Sequence, residues 1–316
     1  MKITLLSIAT ALAVVASARA GVHPDGEARR VIDATKAHMF MAPEYSPDGT
    51  YLAFTAENYR GVWIRSTATG EVRQLSDDLA AGFDMQWSND SKDILHRAAV
   101  YQDKRRYDAA IRTSVTGEEE PLTNFQIGMP FPPRWIDGDR KALLLGENGI
   151  EIAPTGKKIS DEAARANAKP VVGWMADKIA LIQPDGTYEL IEPIEGERVL
   201  NPELSPDGES VVFEIMGGDV YVMRLDDRSL VNLGEGDHPT FSPDGAYVAY
   251  TRSEDDGYRY LASEIYVVGA DGAGLTKLTD TPDRLERHPD FSPDGTRLAF
   301  SAIDDGGVYE LTIVIE

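Results

Sequence analysis

The chain has 316 residues, with 53 acidic against 31 basic side chains, a formal net charge of −22 and no cysteine. That acidity argues against nucleic acid and anionic membrane surfaces as partners, since both would repel it. With no disulfide available, stability has to come from core packing, which a chain of this length can supply as one large domain or two small ones.

The first twenty residues read as an export leader. Lys2 supplies a basic start, Ile3 to Ala16 is apolar, and Ala18-Arg19-Ala20 is a small-x-small cleavage site. The run is too short and wrongly flanked for a membrane anchor. No cysteine follows it to carry a lipid. The expected product begins after Ala20, is periplasmic or secreted, and is not membrane-inserted. Its residues 21–316 form a single domain.

Beyond the leader, Arg30-Val-Ile-Asp33 is one isolated strand-like piece. The first repeat then opens with Ala42-Pro-Glu-Tyr-Ser-Pro-Asp-Gly-Thr-Tyr-Leu-Ala-Phe54 and continues through Gly61 to Ser66 and Val72 to Leu75. A degenerate second unit keeps an aromatic-Ser-x-Asp frame in Met85-Gln-Trp-Ser-Asn-Asp90. A third uses Pro133-Arg-Trp-Ile-Asp-Gly138, Ala142 to Leu145 and Gly149 to Ala153. Ser160 to Ala168 is the one convincing helical stretch, with Ser160 as its N-cap. The fourth unit is abbreviated to Val171 to Met175, Lys178 to Gln183 and Tyr188 to Ile191. The motif returns at Asn201-Pro-Glu-Leu-Ser-Pro-Asp-Gly208, His238-Pro-Thr-Phe-Ser-Pro-Asp-Gly245 and His288-Pro-Asp-Phe-Ser-Pro-Asp-Gly295. The units span about 43–75, 84–123, 130–160, 170–192, 202–233, 239–279 and 289–316.

Ser-Pro-Asp-Gly is a turn with a reason for its order. Proline presets φ near −65°, Asp tolerates the next position, and Gly accepts the positive φ that closes the turn. The Ser hydroxyls of Ser46, Ser205, Ser242 and Ser292 can bond local backbone N–H groups. Past the turn the chain alternates, with Leu298 and Phe300 on one face, the signature of a half-buried strand. The repeat serines are 37 residues apart from Ser205 to Ser242, 42 from Ser46 to Ser88, and 50 from Ser242 to Ser292. Four strands every ~40 residues is the period of propeller blades. The expected fold is therefore an all-β propeller of four-stranded antiparallel blades, with seven blades and six as the alternative. The N-terminal strand near Val31 would pair with the incomplete last unit, closing the ring and removing an exposed edge. A β-sandwich is the plainer alternative, which the repeat disfavours.

The pattern Pro-x-aromatic-Ser-Pro-Asp-Gly, then Leu or Val-Ala-Phe or Tyr, then Ile265-Tyr-Val-Val and Ala270-Asp-Gly272, resembles the WD-like propeller repeats of the TolB family and of prolyl oligopeptidase relatives. It covers residues 42–316, clearest in the first, fifth, sixth and seventh units. The resemblance implies a propeller and, loosely, envelope partners; unrelated functions share this fold. TolB proteins have six blades where seven units are counted here. The TolB N-terminal α/β domain has no room between Gly21 and Pro43. Neither the hydrolase domain of the peptidase relatives nor any G-x-S-x-G is present.

In a propeller, the loop leading into each inner strand and the loop joining the second and third strands emerge on one face. Asp84, Phe131, His238 and His288 should therefore ring the channel mouth. Beside them come Tyr59 and Arg60, the Tyr101 to Tyr107 segment with Arg105 and Arg106, and Tyr258, Arg259 and Tyr260. Tyr and Arg are enriched at binding hot spots, although the same residues also suit plain solvated loops. His238 and His288, with Asp237 or Glu286 alongside, could hold a divalent metal. They share one repeat position, filled elsewhere by Ala42 and Asn201, which favours a structural role. The acidic pairs Asp226-Asp227, Asp255-Asp256 and Asp304-Asp305 read as surface solvation.

Two functions are expected from these residues. The first is a monomeric, non-catalytic binding or scaffold protein for a protein or envelope component, needing no cofactor. The second is a saccharide lyase or hydrolase with a divalent metal at the channel mouth.

Overall fold

The computed structural model describes residues 21–129, 131–146 and 149–315. The leader and its cleavage site lie outside the described residues. Among those described are seven antiparallel sheets in sequence order around a channel, so the blade count is seven.

Two short strands, β1 (Val22–Pro24) and β2 (Arg29–Ile32), come first. Blade 1 is β3 (Phe40–Tyr45), β4 (Tyr51–Ala56), β5 (Arg60–Ser66) and β6 (Val72–Ser76). Blade 2 is β7 (Gln86–Trp87), β8 (Asp93–Gln102), β9 (Arg105–Ser114) and β10 (Glu119–Pro121). Blade 3 has β11 (Phe131–Ile136), β12 (Lys141–Gly146) and β13 (Gly149–Pro154), followed by helix α1 (Asp161–Ala166). Blade 4 has β14 (Val171–Met175), β15 (Lys178–Ile182) and β16 (Tyr188–Ile191). Blade 5 is β17 (Val199–Leu204), β18 (Ser210–Ile215), β19 (Asp219–Arg224) and β20 (Leu230–Glu235). Blade 6 is β21 (Asp237–Phe241), β22 (Tyr247–Asp255), β23 (Tyr260–Gly269) and β24 (Thr276–Lys277). Blade 7 is β25 (Glu286–Phe291), β26 (Arg297–Ala302) and β27 (Gly307–Ile315).

The repeat turn explains why these blades form. Ser46 Oγ donates to Asp48 Oδ1 at 2.8 Å and accepts the Tyr51 N–H at 3.0 Å, while Gly49 N–H closes onto Ser46 O at 2.8 Å. Ser205, Ser242 and Ser292 repeat the first contact to Asp207, Asp244 and Asp294 at 2.6 Å each. Ser88 does the same with Asp90 at 2.7 Å, with Ser91 taking the positive φ usually given to Gly. All five serines are buried. A buried hydroxyl satisfied in both directions fixes the register of the hairpin it starts. The strand after the turn sends an aromatic into the seam between blades: Phe54, Phe213, Tyr250 and Phe300 are fully buried.

The ring closes through the N-terminal strands, as the isolated apolar piece near Val31 predicted. Both β1 and β2 pair with β27, with Arg30 opposite Tyr309 and His23 opposite Val314. Arg30 also donates to Tyr309 Oη at 2.9 Å and pairs with Asp305. One member of an acidic pair read as surface solvation is therefore part of the closure.

Blades 3 and 4 depart from the four-stranded plan, each having three strands among the described residues. In blade 5 the turn between β18 and β19 meets the lead-in to the next blade, with Gly236 N–H on Gly218 O at 3.5 Å; in blade 1 Gly82 N–H meets Tyr59 O at 3.1 Å. In blade 4 it is the turn between β14 and β15 that does this, with Val199 N–H on Asp177 O at 3.1 Å. β14, β15 and β16 thus occupy the second, third and fourth slots. Blade 3 holds the first three. The chain skips two slots between them, and the connecting segment carries α1 under the first turn of blade 3, where Arg140 reaches Asp161 at 2.6 Å. A Cβ on Gly138, in that turn, would lie 2.5 Å from the Ala164 carbonyl oxygen. Ser160 Oγ accepts the Ala163 N–H at 3.2 Å, the predicted cap.

Candidate functional site

The channel wall is built by one recurring backbone device. The residue before the repeat proline is left-handed in each case: Ala42 at φ 50°, Asn201 at 47°, His238 at 51° and His288 at 55°. Asp84, before Met85, matches them at 55°. Strain of this kind in a non-glycine residue persists only where its surroundings over-determine it. Here it accompanies a β-bulge, since the ladder slips between Met41 and Glu44, Leu200 and Glu203, Asp237 and Thr240, and Arg287 and Asp290. The slip re-aims the strand, so that the x of Pro-x-aromatic faces the channel while the aromatic faces the seam.

The x residues are Glu44, Gln86, Arg134, Glu203, Thr240 and Asp290, and all line a cavity of about 520 Å³. Sequence reasoning missed them. The signal was available, because strand alternation puts x opposite the buried aromatic, but x varies from unit to unit and looks like filler.

Three of these carboxyls also stitch neighbouring blades or crowd one another. Asp290 accepts the Tyr45 N–H at 2.7 Å, joining blade 7 to blade 1. Glu203 accepts the Phe241 N–H at 2.9 Å, joining blade 5 to blade 6. Arg134 donates to Val172 O at 3.1 Å and pairs with Asp84. Burial in the narrow channel raises the Asp290 pKa to about 8 and that of Glu203 to about 7. Burial, reinforced by Asp290, Asp84 and Glu203, pushes Glu44 well above the usual carboxylate range. Near neutrality Asp290 is thus mostly protonated and Glu203 about half so.

At the mouth, two walls differ. Along blades 1 to 4 runs an aromatic arc, Tyr59 to Phe83 at 5.0 Å and Phe83 to Trp174 at 5.8 Å between ring centroids, with Trp174 backed by the buried Phe131 ring at 6.1 Å. Across from it His238 and His288 sit edge to face with centroids 4.1 Å apart. Ser301 gives its proton to Arg287 O at 3.0 Å, so its oxygen accepts from His288 Nδ1 at 3.1 Å. Burial, with His238 and Arg287 adding to it, holds His288 well below the usual imidazole range, and it is neutral. His238 Nδ1 contacts Asp237 Oδ1 at 2.8 Å, and Arg287 donates to Asp237 Oδ2 at 2.8 Å. Among the described residues no group of three or more His, Asp or Glu side chains is placed to hold a metal ion.

The residues singled out from sequence divide into three groups. Asp84, Tyr59, His238 and His288 line the cavity together. Phe131 is buried in the core instead, under Arg134 at 5.0 Å, because the ladder slip before Arg134 turns its ring into the seam toward Trp174. Arg60 turns outward and forms a two-point pair with Asp77 at 3.0 and 2.7 Å. The rest stand on two hairpins longer than the others. At the β8–β9 end, Tyr101 and Arg105 are exposed, while Arg106 is held by Asp108 at 2.8 Å and Tyr107 is half-buried. At the β22–β23 end, Tyr258 is 98% exposed and Arg259 is exposed. Tyr260 lies under the Arg287 guanidinium at 4.6 Å, which connects this hairpin to the histidine wall.

A closed ring of antiparallel blades around a lined channel, each regular blade begun by the Ser-Pro-Asp-Gly turn, defines a WD-like β-propeller. Within that class the repeats of this chain are TolB-like. No family model matches the chain. It is 32% identical over 157 residues to a Tol-Pal system protein TolB of Anaeromyxobacter dehalogenans, covering 44% of this chain and 35% of that protein. The matched stretch thus spans about a third of the length of that curated relative. In fold it overlays a putative TolB from Agrobacterium tumefaciens with a TM-score of 0.54 at 18% identity, over 88% of this chain and 91% of the other. It overlays the β-propeller domain of Myceliophteria thermophila Cps50 (Swd1) at 0.56 with 14% identity, over 89% and 98%. At these identities the structural likeness establishes the fold alone.

Proposed function

We propose that the chain is an exported, non-catalytic binding protein whose channel-mouth face docks a protein or another cell-envelope component. The observation that carries this reading is the mouth itself. Two projecting hairpins bearing exposed Tyr and Arg side chains flank an acidic, aromatic-rimmed cavity on an otherwise acidic protein. Rigid aromatics and arginines are what interface hot spots use. The TolB likeness of the repeats supports an envelope setting, as does the export leader at residues 1–20. No helix of the described residues is long and apolar enough to cross a membrane. The proposed protein acts as a monomer and uses no cofactor.

A metal-dependent saccharide lyase would need more than His238 and His288 as ligands. Asp237 is paired with Arg287, and among the described residues no third His, Asp or Glu is grouped with the two histidines. The binding reading therefore has the better support.

The test is capture from an envelope extract by the tagged protein, beside a variant with Arg105, Arg106, Tyr258 and Tyr260 all changed to Ala. A defined partner held by the parent and lost by the folded variant is the expected result. Equal capture by both would reject the mouth face, and chelator-sensitive turnover of an acidic oligosaccharide would reject the non-catalytic assignment.

A further inference from the structure

The two skipped strand slots leave a gap on the outer rim that nothing in the described chain fills. Residues directly opposite in an antiparallel ladder share a face. Ile152 pairs with Leu143, which is buried in the core shared by blades 3 and 4. Ile152 therefore looks toward blade 4. Tyr188 pairs with Ile182 and Leu190 with Ala180, both in that same core, so they look back toward blade 3. The Ile152 side chain reaches blade 4 at Gly186, where a Cβ would lie 2.7 Å from its Cδ1. These three side chains continue the core outward, yet they remain 46%, 47% and 40% exposed. The strand that would cover them is the missing fourth strand of blade 3.

We propose that this vacant slot accepts one extended strand of a partner protein, paired to the free edge of β13. β13 ends its sheet with β12 on one side and no partner on the other among the described residues. An added strand would complete the blade by main-chain hydrogen bonding, the mode of β-augmentation. Alternation fixes its chemistry. Side chains facing blade 4 cover Ile152, Tyr188 and Leu190 and must be apolar. Those on the other face lie beside Glu151, which pairs with Leu144 on the side toward blade 2 and has no ion pair among the described residues. They must be basic. A second copy of the chain fits poorly, because edge-to-edge pairing of two β13 strands would set Glu151 near its mate. This surface lies on the rim and is independent of the channel mouth.

The probe is a blocked peptide alternating Val and Lys over seven residues, titrated into the purified protein, with the Val/Glu alternation as control. Expected are saturable one-to-one binding, at least tenfold weaker binding of the Glu peptide, and a tenfold loss in a Tyr188→Ser, Leu190→Ser variant that melts like the parent. Hydrogen exchange should show protection of residues 149–154 and none at the outer strands 72–76 or 230–235. Binding unchanged in the double variant overturns the proposal, as does protection confined to the channel acids Glu44, Glu203 and Asp290. A concentration-dependent dimer of the free protein, abolished by the double variant, would assign the slot to a second copy and overturn it as well.

Discussion

Blades 5 to 7 and blades 3 to 4 solve the same packing problem with different amounts of chain. In the regular blades, the Ser-Pro-Asp-Gly turn sets a first strand on the channel and a second strand in the seam, and each pair carries a buried aromatic. In blades 3 and 4 the ring stays closed although two strand slots are unfilled. β14, a second-slot strand, lines the channel there with Val171, Val172 and Trp174. What the ring requires is thus the seam between adjacent second strands, and the inner and outer slots can be given up locally.

That difference can be broken or sharpened by substitution. The largest effect is expected in a regular seam: Phe213→Ala should cost about 4 kcal/mol through lost burial and the cavity left behind. Chemical denaturation would check it, and a loss below about 1 kcal/mol would mean that the seam does not carry the blade. In the irregular region the sensitivity is reversed in kind, because the site is already full. A Cβ on Gly173 would lie 1.9 Å from the Phe131 ring, so Gly173→Val should cost about 3 kcal/mol by overpacking.

Third in size is the response to pH. Asp290 and Glu203 have folded pKa values raised to about 8 and about 7, so between pH 4 and 8 the folded state binds more protons than the unfolded chain. Their contribution is present at low pH and is lost as pH rises through those values. The lowered His288 works in the opposite sense below its usual range, with stability lost as pH falls, so the informative quantity is the difference between parent and Asp290→Asn. From pH 5 to 8 the parent should lose on the order of 2 kcal/mol more than the variant, a figure reduced by water in the channel. Parallel pH curves would show that Asp290 titrates as an ordinary carboxylate. Smallest is the turn comparison. Ser292→Ala removes a buried hydroxyl that both donates and accepts, and should cost about 1.5 kcal/mol. Asp185→Ala, in the exposed turn of blade 4, should leave the melting temperature close to the parent's.

The same contrast explains what the sequence could disclose. The regular blades were legible because their turn is encoded locally: Pro, Asp and Gly each satisfy one dihedral demand, and the period of the turns is the period of the blades. Ring closure was legible because an isolated apolar strand and an incomplete last unit are complementary. Blade 4 was visible as three short strands, but their slots were not, because Val171 to Met175 alternates like any half-buried strand and its direction depends on where α1 delivers the chain. The channel acids were hidden by a different cause. Proline normally pushes the preceding residue toward extended conformations, so left-handed Ala42, Asn201, His238 and His288 could not be foreseen. Without the bulge they create, the inward turn of Glu44, Glu203 and Asp290 has no local signature. Of the mouth, the tips of the two long hairpins were legible because Tyr101, Arg105, Tyr258 and Arg259 stand exposed at turns or strand ends. The aromatic arc of Phe83 and Trp174 was not, since it joins residues from separate blades.

The most direct test of the account is hydrogen exchange on the protein with and without the component it captures from the envelope. The mouth reading predicts new protection at residues 57–60, 101–107, 255–260 and 286–288, all on one face. Protection confined to the opposite face, at the turns 46–49, 205–208 and 292–295, would contradict it.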